Sequence, residues 1–413
     1  MSGMEVDRRE FLKASAGAAA VVALMPELGL ASTLSAADEV ALGLIGAGRQ
    51  GRAILTELQK LSAARVASVC DTDASRLESG LRRTQGASGT AEYRAMLDNK
   101  EITGVIIATP THLHKQVALD AIAAGKHVYC EGPLAHTVED ARAMAQAATR
   151  AKTVFAVGHE ARANPVYKLA RTFYKTDAFR DLISMYAQHH QKNSWRITAS
   201  DPARDKEMNW RLDPGVSLGL AGELGSHQFD VYHWWLGAYP TSVRGHGAIR
   251  LYTEDGRTVP DTIACDFGFE SGARLHYQAT LANSYMGRHE VFFGSNSAFK
   301  LAWTHGWMFK EADAPTQGWE VYANRQQFHS DEGITLIADA TKLASQGKLK
   351  EGVGLPNSPL YYSLEAFLRS VIEGTPAACN AEEGARTAIV SIAASRSVTG
   401  GSAVAIAPKD LAV

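Results

Sequence analysis

Gly46-Ala47-Gly48-Arg49-Gln50-Gly51 directly follows the apolar run Val40 to Ile45, and this pairing restricts the fold more than any other feature of the chain. A glycine turn between a strand and a helix allows a tight bend at Gly46, close approach of a pyrophosphate at Gly48, and close helix–strand packing at Gly51. The helix that opens there, with Arg49 and Gln50 in its first turn, meets phosphates with unpaired amides and a favourable dipole. Asp71 ends the next strand, 20 residues after Gly51, where a carboxylate binds both hydroxyls of an adenosine ribose. A carboxylate there repels a 2′-phosphate, so the expected cofactor is NAD rather than NADP.

The surrounding pattern supports that reading. From residue 39 onward short β-branched runs (40–45, 65–70, 104–108, 127–130, 153–157) alternate with helical stretches (51–61, 114–124 and one ending near 150), as in a parallel sheet with crossover helices. Thr137 and Asp140 are expected to form a capping box for the last of these helices. Thr109-Pro110 closes the fourth strand at the C-terminal edge of the sheet, where ligands of open α/β folds bind. After residue 158 the rhythm changes to polar loops, one amphipathic helix over 219–236, strands of antiparallel character at 241–251, 262–269 and 274–281, and closing helices at 360–373 and 381–395. The expected fold class is α/β: an N-terminal Rossmann dinucleotide-binding domain (38–158), then an α+β domain with a large, mostly antiparallel open sheet (159–413) for substrate binding and oligomerisation.

Residues 1–37 read as an export signal. Arg8-Arg9 within Asp7 to Lys13 precedes a small-residue apolar run, and Leu34-Ser35-Ala36-Ala37 offers a cleavage site, the pattern of a twin-arginine signal peptide. The run is stopped by Pro26 and is shorter than a spanning helix, so no membrane anchor is expected after its removal. The expected location is periplasmic or extracellular. A net charge of −2 without a basic patch argues against a nucleic-acid partner. The four cysteines, Cys70, Cys130, Cys265 and Cys379, match no metal spacing and read as buried thiols; no metal is expected.

Further along, Glu223, His227, Asp230 and Trp234 are spaced by four, three and four residues, which places them within roughly 60° of one another on a helix. Two carboxylates, an imidazole and an indole are poor core material, since buried charges need partners, and suit the wall of a cleft. There His227 would take a proton from a substrate hydroxyl while a carboxylate such as Glu223 fixes its tautomer, with Asp230 on the substrate side. Arg162 and Tyr167, just after the domain junction, are further candidates for the cleft.

The chain resembles the glucose–fructose oxidoreductase, inositol dehydrogenase and MocA (Gfo/Idh/MocA) family through Gly46 to Gly51, Ala108-Thr109-Pro110 with His114, Glu131-Gly132-Pro133, and the run from Trp210-Arg211 through Asp213-Pro214 to Glu223, His227 and Asp230. The resemblance implies that Thr109, Pro110, His114, Glu131, Trp210 and Arg211 approach the cofactor, and that the partners are a sugar or glycoside and further copies of the chain in a homo-oligomer. In most members the residue at Gly132 is a lysine that polarises the reacting hydroxyl; glycine cannot transfer a proton. The NAD-dependent glycosidases of the family, of the α-N-acetylgalactosaminidase type, also lack that lysine. Similarity to that branch implies substrate contacts for Glu160 and Gln188 and a catalytic role for His189, although Ala187 stands where those enzymes carry a tyrosine.

Export of a folded protein already loaded with NAD leaves little free cofactor outside to exchange, so the cofactor must be regenerated where it sits. Transient oxidation of a glycoside, elimination, hydration and re-reduction meet that condition, and so does a sugar–sugar redox exchange. A dehydrogenase with exchangeable NAD and a non-catalytic sugar-binding protein are the alternatives.

Overall fold

The computed structural model describes residues 34–35, 38–199, 201–318, 320, 323–328, 331–338, 343, 346, 348 and 353–413. The twin-arginine segment therefore lies almost wholly outside the described residues. The chain divides into a larger unit (34–164, 184–290, 356–413) and a smaller one whose described part lies within 165–183 and 291–355.

In the larger unit, β1 (Val40–Ile45), β2 (Ala64–Cys70), β3 (Ser88–Thr90), β4 (Gly104–Ile107), β5 (His127–Cys130) and β6 (Phe155–Val157) form one sheet in the order β3-β2-β1-β4-β5-β6, every pair parallel. This is the doubly wound order whose strand sequence reverses between β1 and β4, opening a crevice at their C-terminal ends. β1 and β4 are buried along their whole length, which is why they read as unbroken apolar runs rather than as alternation. Helices α1 (Arg49–Leu58), α2 (Ala74–Leu81), α3 (Tyr93–Leu97), α4 (His114–Ala123) and α5 (Val138–Arg150) make the connections. Compared with the sequence expectation, α1 begins two residues earlier and ends three earlier, and α2, β3 and α3 are elements too short for periodicity to show. Thr137 does cap α5, its hydroxyl accepting from Asp140 N at 3.1 Å, but the Asp140 carboxylate takes the Lys115 ammonium at 2.7 Å instead of closing a box.

The smaller unit carries α6 (Pro165–Tyr174). The larger unit continues with β7 (Leu182–Lys192, its first two residues in the smaller unit), short α7 (Asp205–Met208), α8 (Gly219–Glu223) and α9 (Gly225–Leu236). Strands β8 (Ser242–Ala248), β9 (Thr262–Gly268), β10 (Arg274–Thr280) and β11 (Ala282–Gly294, its last four residues in the smaller unit) follow, mostly antiparallel with β10 parallel to β7. β10 alternates buried and exposed residues, the mark of a sheet with one covered face. In the smaller unit β12 (Ser297–Ala302), β13 (His305–Lys310), β14 (Arg325–Phe328) and β15 (Asp331–Thr335) are antiparallel in the order β12-β13-β15-β14. Helices α10 (Pro359–Glu373) and α11 (Ala381–Gly400) return to the larger unit and pack Leu364, Phe367, Ala385 and Ala388 into the cores around the parallel sheet; β16 (Val404–Ala405) pairs with β8. All four cysteines are buried and free.

Candidate active site

The turn after β1 shows why glycine is needed there. Gly46 has φ +98°, and a Cβ on it would stand 2.7 Å from the Ala108 carbonyl oxygen; one on Gly51 would stand 1.9 Å from the Gly46 oxygen, whereas nothing lies within 4 Å of the corresponding point on Gly48. The open side of the turn is therefore at Gly48, in front of the α1 N-terminus, with Arg49 exposed beside it. Asp71 accepts from Ala47 N and from Asp73 N, both at 2.8 Å, which holds its carboxylate against the turn. Across the crevice the Thr109 hydroxyl is buried with no partner among the described residues, and Pro110 leads into the helical turn Thr111–Leu113. The His114 ring sits between the Thr109 carbonyl (3.0 Å) and those of Pro133 and Leu134 (3.2 Å each), tying the two loops together. Burial lowers its pKa to about 4, so the ring is neutral. Arg211 stacks 4.4 Å from the Trp210 ring centre. An open helix N-terminus, a fixed carboxylate and an orphaned buried hydroxyl suit a dinucleotide.

At the end of β5, Glu131 accepts from the Gln50 amide at 3.1 Å. Burial, and then the nearby Glu160 carboxylate, push its pKa up to about 8; burial raises Glu160 as well. Beside it, the space over Gly132 is taken by two imidazoles. A Cβ there would lie 3.0 Å from His159 Cε1, 3.2 Å from His159 Nδ1 and 3.4 Å from His227 Cε1, and the two rings meet edge to face with centroids 5.4 Å apart. His159 is 2% exposed, and neither of its ring nitrogens has a partner among the described residues; the same holds for Nδ1 of His227 and of His189. Burial is the main cause that lowers all three histidines, and the Arg288 guanidinium lowers each further. His189 falls to about 3. All three are neutral at pH 7. No spacing or motif in the sequence marks His159; its place just after β6, at the C-terminal edge of the parallel sheet, is the signal that points to it.

Several expected groupings do not form. The helix over 219–236 breaks at Leu224 (φ −113°, ψ −47°), so Glu223 belongs to α8 and the single stripe is interrupted. The Glu223 carboxylate accepts from the Thr111 hydroxyl at 3.0 Å and Leu218 N at 3.4 Å, and burial raises its pKa. Asp230 does not face an open cleft: it is fully buried, accepts two 2.8 Å bonds from Arg162 and one of 3.1 Å from Thr387, while Arg162 also reaches Glu383 at 3.0 Å. The buried charges are partners of each other. Gln188 and His189 are neighbours on β7 and so point to opposite faces. The Gln188 amide is taken up by Tyr285 O (2.9 Å), Gly287 O (3.2 Å) and the Tyr186 hydroxyl (3.0 Å). Tyr167 belongs to the smaller unit, where its hydroxyl accepts from Trp303 N at 3.3 Å. Among the described residues no group of three His, Cys, Asp or Glu side chains is arranged to hold a metal ion.

Comparison with known proteins places this geometry in context. Residues 40–159 match the oxidoreductase family with the NAD-binding Rossmann fold, and residues 184–406 its C-terminal alpha/beta domain. Residues 5–25 match the twin-arginine translocation signal, which marks the chain for export to the periplasm or beyond. A levoglucosan dehydrogenase from Pseudarthrobacter phenanthrenivorans is 30% identical over 38% of this chain and 39% of its own length. A glycosyl hydrolase family 109 protein from Shewanella sp. (strain ANA-3) is 34% identical over 34% of this chain and 36% of its own length. The aligned parts thus span well under half of either relative. The fold is like that of levoglucosan dehydrogenase solved with NADH and levoglucosan, with TM-score 0.71, 20% identity, and 89% of this chain and 99% of that one covered.

Proposed function

Because the chain belongs to the Gfo/Idh/MocA oxidoreductase family, we propose that it is an exported enzyme acting on a sugar or glycoside with an NAD that stays bound and is recycled in place, in the manner of a redox-type glycosidase. The carrying observation is the pair of neutral imidazoles over Gly132, where the family resemblance leads one to expect a lysine. Bound NAD supplies a reversible hydride acceptor. The chain's own part is to hold it and to handle protons. Gly48, the first turn of α1, Asp71 and Thr109 bind its phosphates and ribose, and Glu131 with Gln50 the second ribose. His227 takes the proton of the sugar hydroxyl, while His189 and Glu160 contact neighbouring positions of the sugar. Arg162 and Asp230 act from behind, as the ion pair beside His159. We assign NAD binding to 38–158, and substrate binding and assembly into a homo-oligomer to 159–413.

The sequence similarity to levoglucosan dehydrogenase favours a second reading, a dehydrogenase with exchangeable NAD. The mature protein, without added cofactor, should be incubated with aryl glycosides and with pairs of free sugars. Aglycone release that disappears in His227→Ala supports the glycosidase. Alditol plus lactone from paired sugars indicates the exchange reaction instead, and turnover only with added NAD the dehydrogenase. Absence of every product leaves a sugar-binding protein.

A further inference from the structure

His159 is a buried polar side chain to which the mechanism above gives no role. It projects from the loop after β6, and its Nδ1 points at the space over Gly132, 3.2 Å from where a Cβ would be. His227 reaches the same space from α9, its Cε1 3.4 Å from that point. The absence of a side chain at 132 suits this packing: a Cβ there would make His159 give by a few tenths of an ångström and would only touch His227. With both of its nitrogens buried and without protein partners among the described residues, His159 needs a polar group supplied from outside the chain, because buried imidazoles are normally satisfied. The groups around it bear on its charge in both directions. Burial lowers its pKa, Asp230 on α9 opposes that, and Arg162 and Arg288 add to the lowering. A neutral imidazole has one N–H and one lone pair. A sugar hydroxyl within reach of a nitrogen of each ring can give its proton to one while accepting from the other.

We propose that His159 is a catalytic residue of this site, donating an N–H to the reacting sugar oxygen while His227 accepts that oxygen's proton. The proposal rests on the redox reading above. In the oxidation step the O–H bond breaks and its proton goes to His227, the carbon gives up a hydride to the bound nicotinamide, and the C–O single bond becomes a carbonyl. His159 keeps its proton throughout, holding the oxygen as negative charge develops on it. A donor aimed at such an oxygen is worth on the order of 10²–10³ in rate.

The test uses the mature, NAD-loaded protein and follows first-turnover reduction of the bound nicotinamide by its near-ultraviolet absorbance, with glycosides and free sugars as probes. NAD content and sugar affinity by calorimetry are measured alongside. His159→Leu fills the volume without a donor, and His159→Gln restores one. The expected result is a loss of about 10²-fold for Leu, recovery to within about tenfold of wild type for Gln, and unchanged NAD content in both. The acid limb of the rate should persist in Gln, because it belongs to His227. His159→Ala combined with Gly132→Lys, which places a cationic donor in the same space, should recover at least tenfold over His159→Ala. If Leu reduces the cofactor within about threefold of wild type, or Gln is no better than Leu, His159 is not the donor and the redox reading stands. If wild type itself neither binds a sugar nor reduces its cofactor, the redox reading and the role of His159 fall together.

Discussion

Asp230→Ala tests whether the carboxylate at 230 serves the fold or the substrate. Asp230 has no exposed surface and accepts three hydrogen bonds, two from the Arg162 guanidinium and one from the Thr387 hydroxyl. Removing one member of a buried ion pair costs about 3–5 kcal/mol, because the remaining charge stays buried without compensation. Here Arg162 retains Glu383 at 3.0 Å, a residue on the half-buried first turn of α11, so the lower end, about 3 kcal/mol, is expected. Urea unfolding followed by tryptophan fluorescence should show that loss. Arg162→Met with Asp230→Leu should return stability to within about 1 kcal/mol of wild type, since well-packed apolar residues replace a buried pair at little cost. The effect also has a pH signature. Burial alone would raise the Asp230 pKa, but Arg162 together with His159 and His233 outweighs it and the net shift is downward. The pair's stabilisation is therefore complete above the unfolded aspartate value of about 3.9 and disappears as pH falls through the lower folded value. A stability within about 1 kcal/mol of wild type in Asp230→Ala, together with lost sugar binding, would refute the assignment and return Asp230 to the substrate side.

Two further outcomes follow from the same geometry. Gly51→Ala sets a methyl 1.9 Å from the Gly46 carbonyl oxygen, a backbone atom that cannot swing away; overpacking of about 1–3 kcal/mol concentrated on the turn lowers NAD affinity roughly ten- to hundredfold, read by calorimetry on cofactor-stripped protein. Glu131, with its pKa raised to about 8 by burial and Glu160, binds a proton in the folded state that the unfolded chain has lost above about pH 4.3. Stability of the NAD-free protein should therefore decline as pH rises from about 5 to about 8 and then level off, and Glu131→Gln should flatten that decline in urea midpoints.

Much of the first sheet was legible because local chemistry dictates it. The turn at Gly46 to Gly51 permits few alternatives, and β1 and β4 are buried along their whole length, so their runs stand out. The site beyond the cofactor was less legible, for reasons specific to each residue. The spacing argument singles out His227, yet does not show the break at Leu224 that puts Glu223 on a separate short helix. The resemblance to the glycosidase branch pairs Gln188 with His189, whereas period-two geometry turns neighbours on a strand to opposite faces. Taken singly, Arg162 and Asp230 each suit a cleft wall. Their pairing spans 68 residues and has no local signature.

That pairing bears on the site, because it sets what surrounds His159. An isolated buried guanidinium would drive nearby imidazoles strongly toward neutrality, and an isolated buried carboxylate would hold them protonated. With Arg162 and Asp230 bonded to each other, their opposite effects on His159 partly cancel, and desolvation is left as the main reason that the ring is neutral. A neutral ring is the form that can donate an N–H without the cost of burying a net charge. Lysine at 132 would bring a cation into the same space, and would need a carboxylate to compensate it or a much lowered pKa. Glycine at 132 and the buried histidine at 159 thus complement each other: Gly132 leaves room, His159 packs over it as an uncharged donor, and the ion pair behind keeps the local field near balance. Restoring a side chain at 132 while keeping His159 should disturb both.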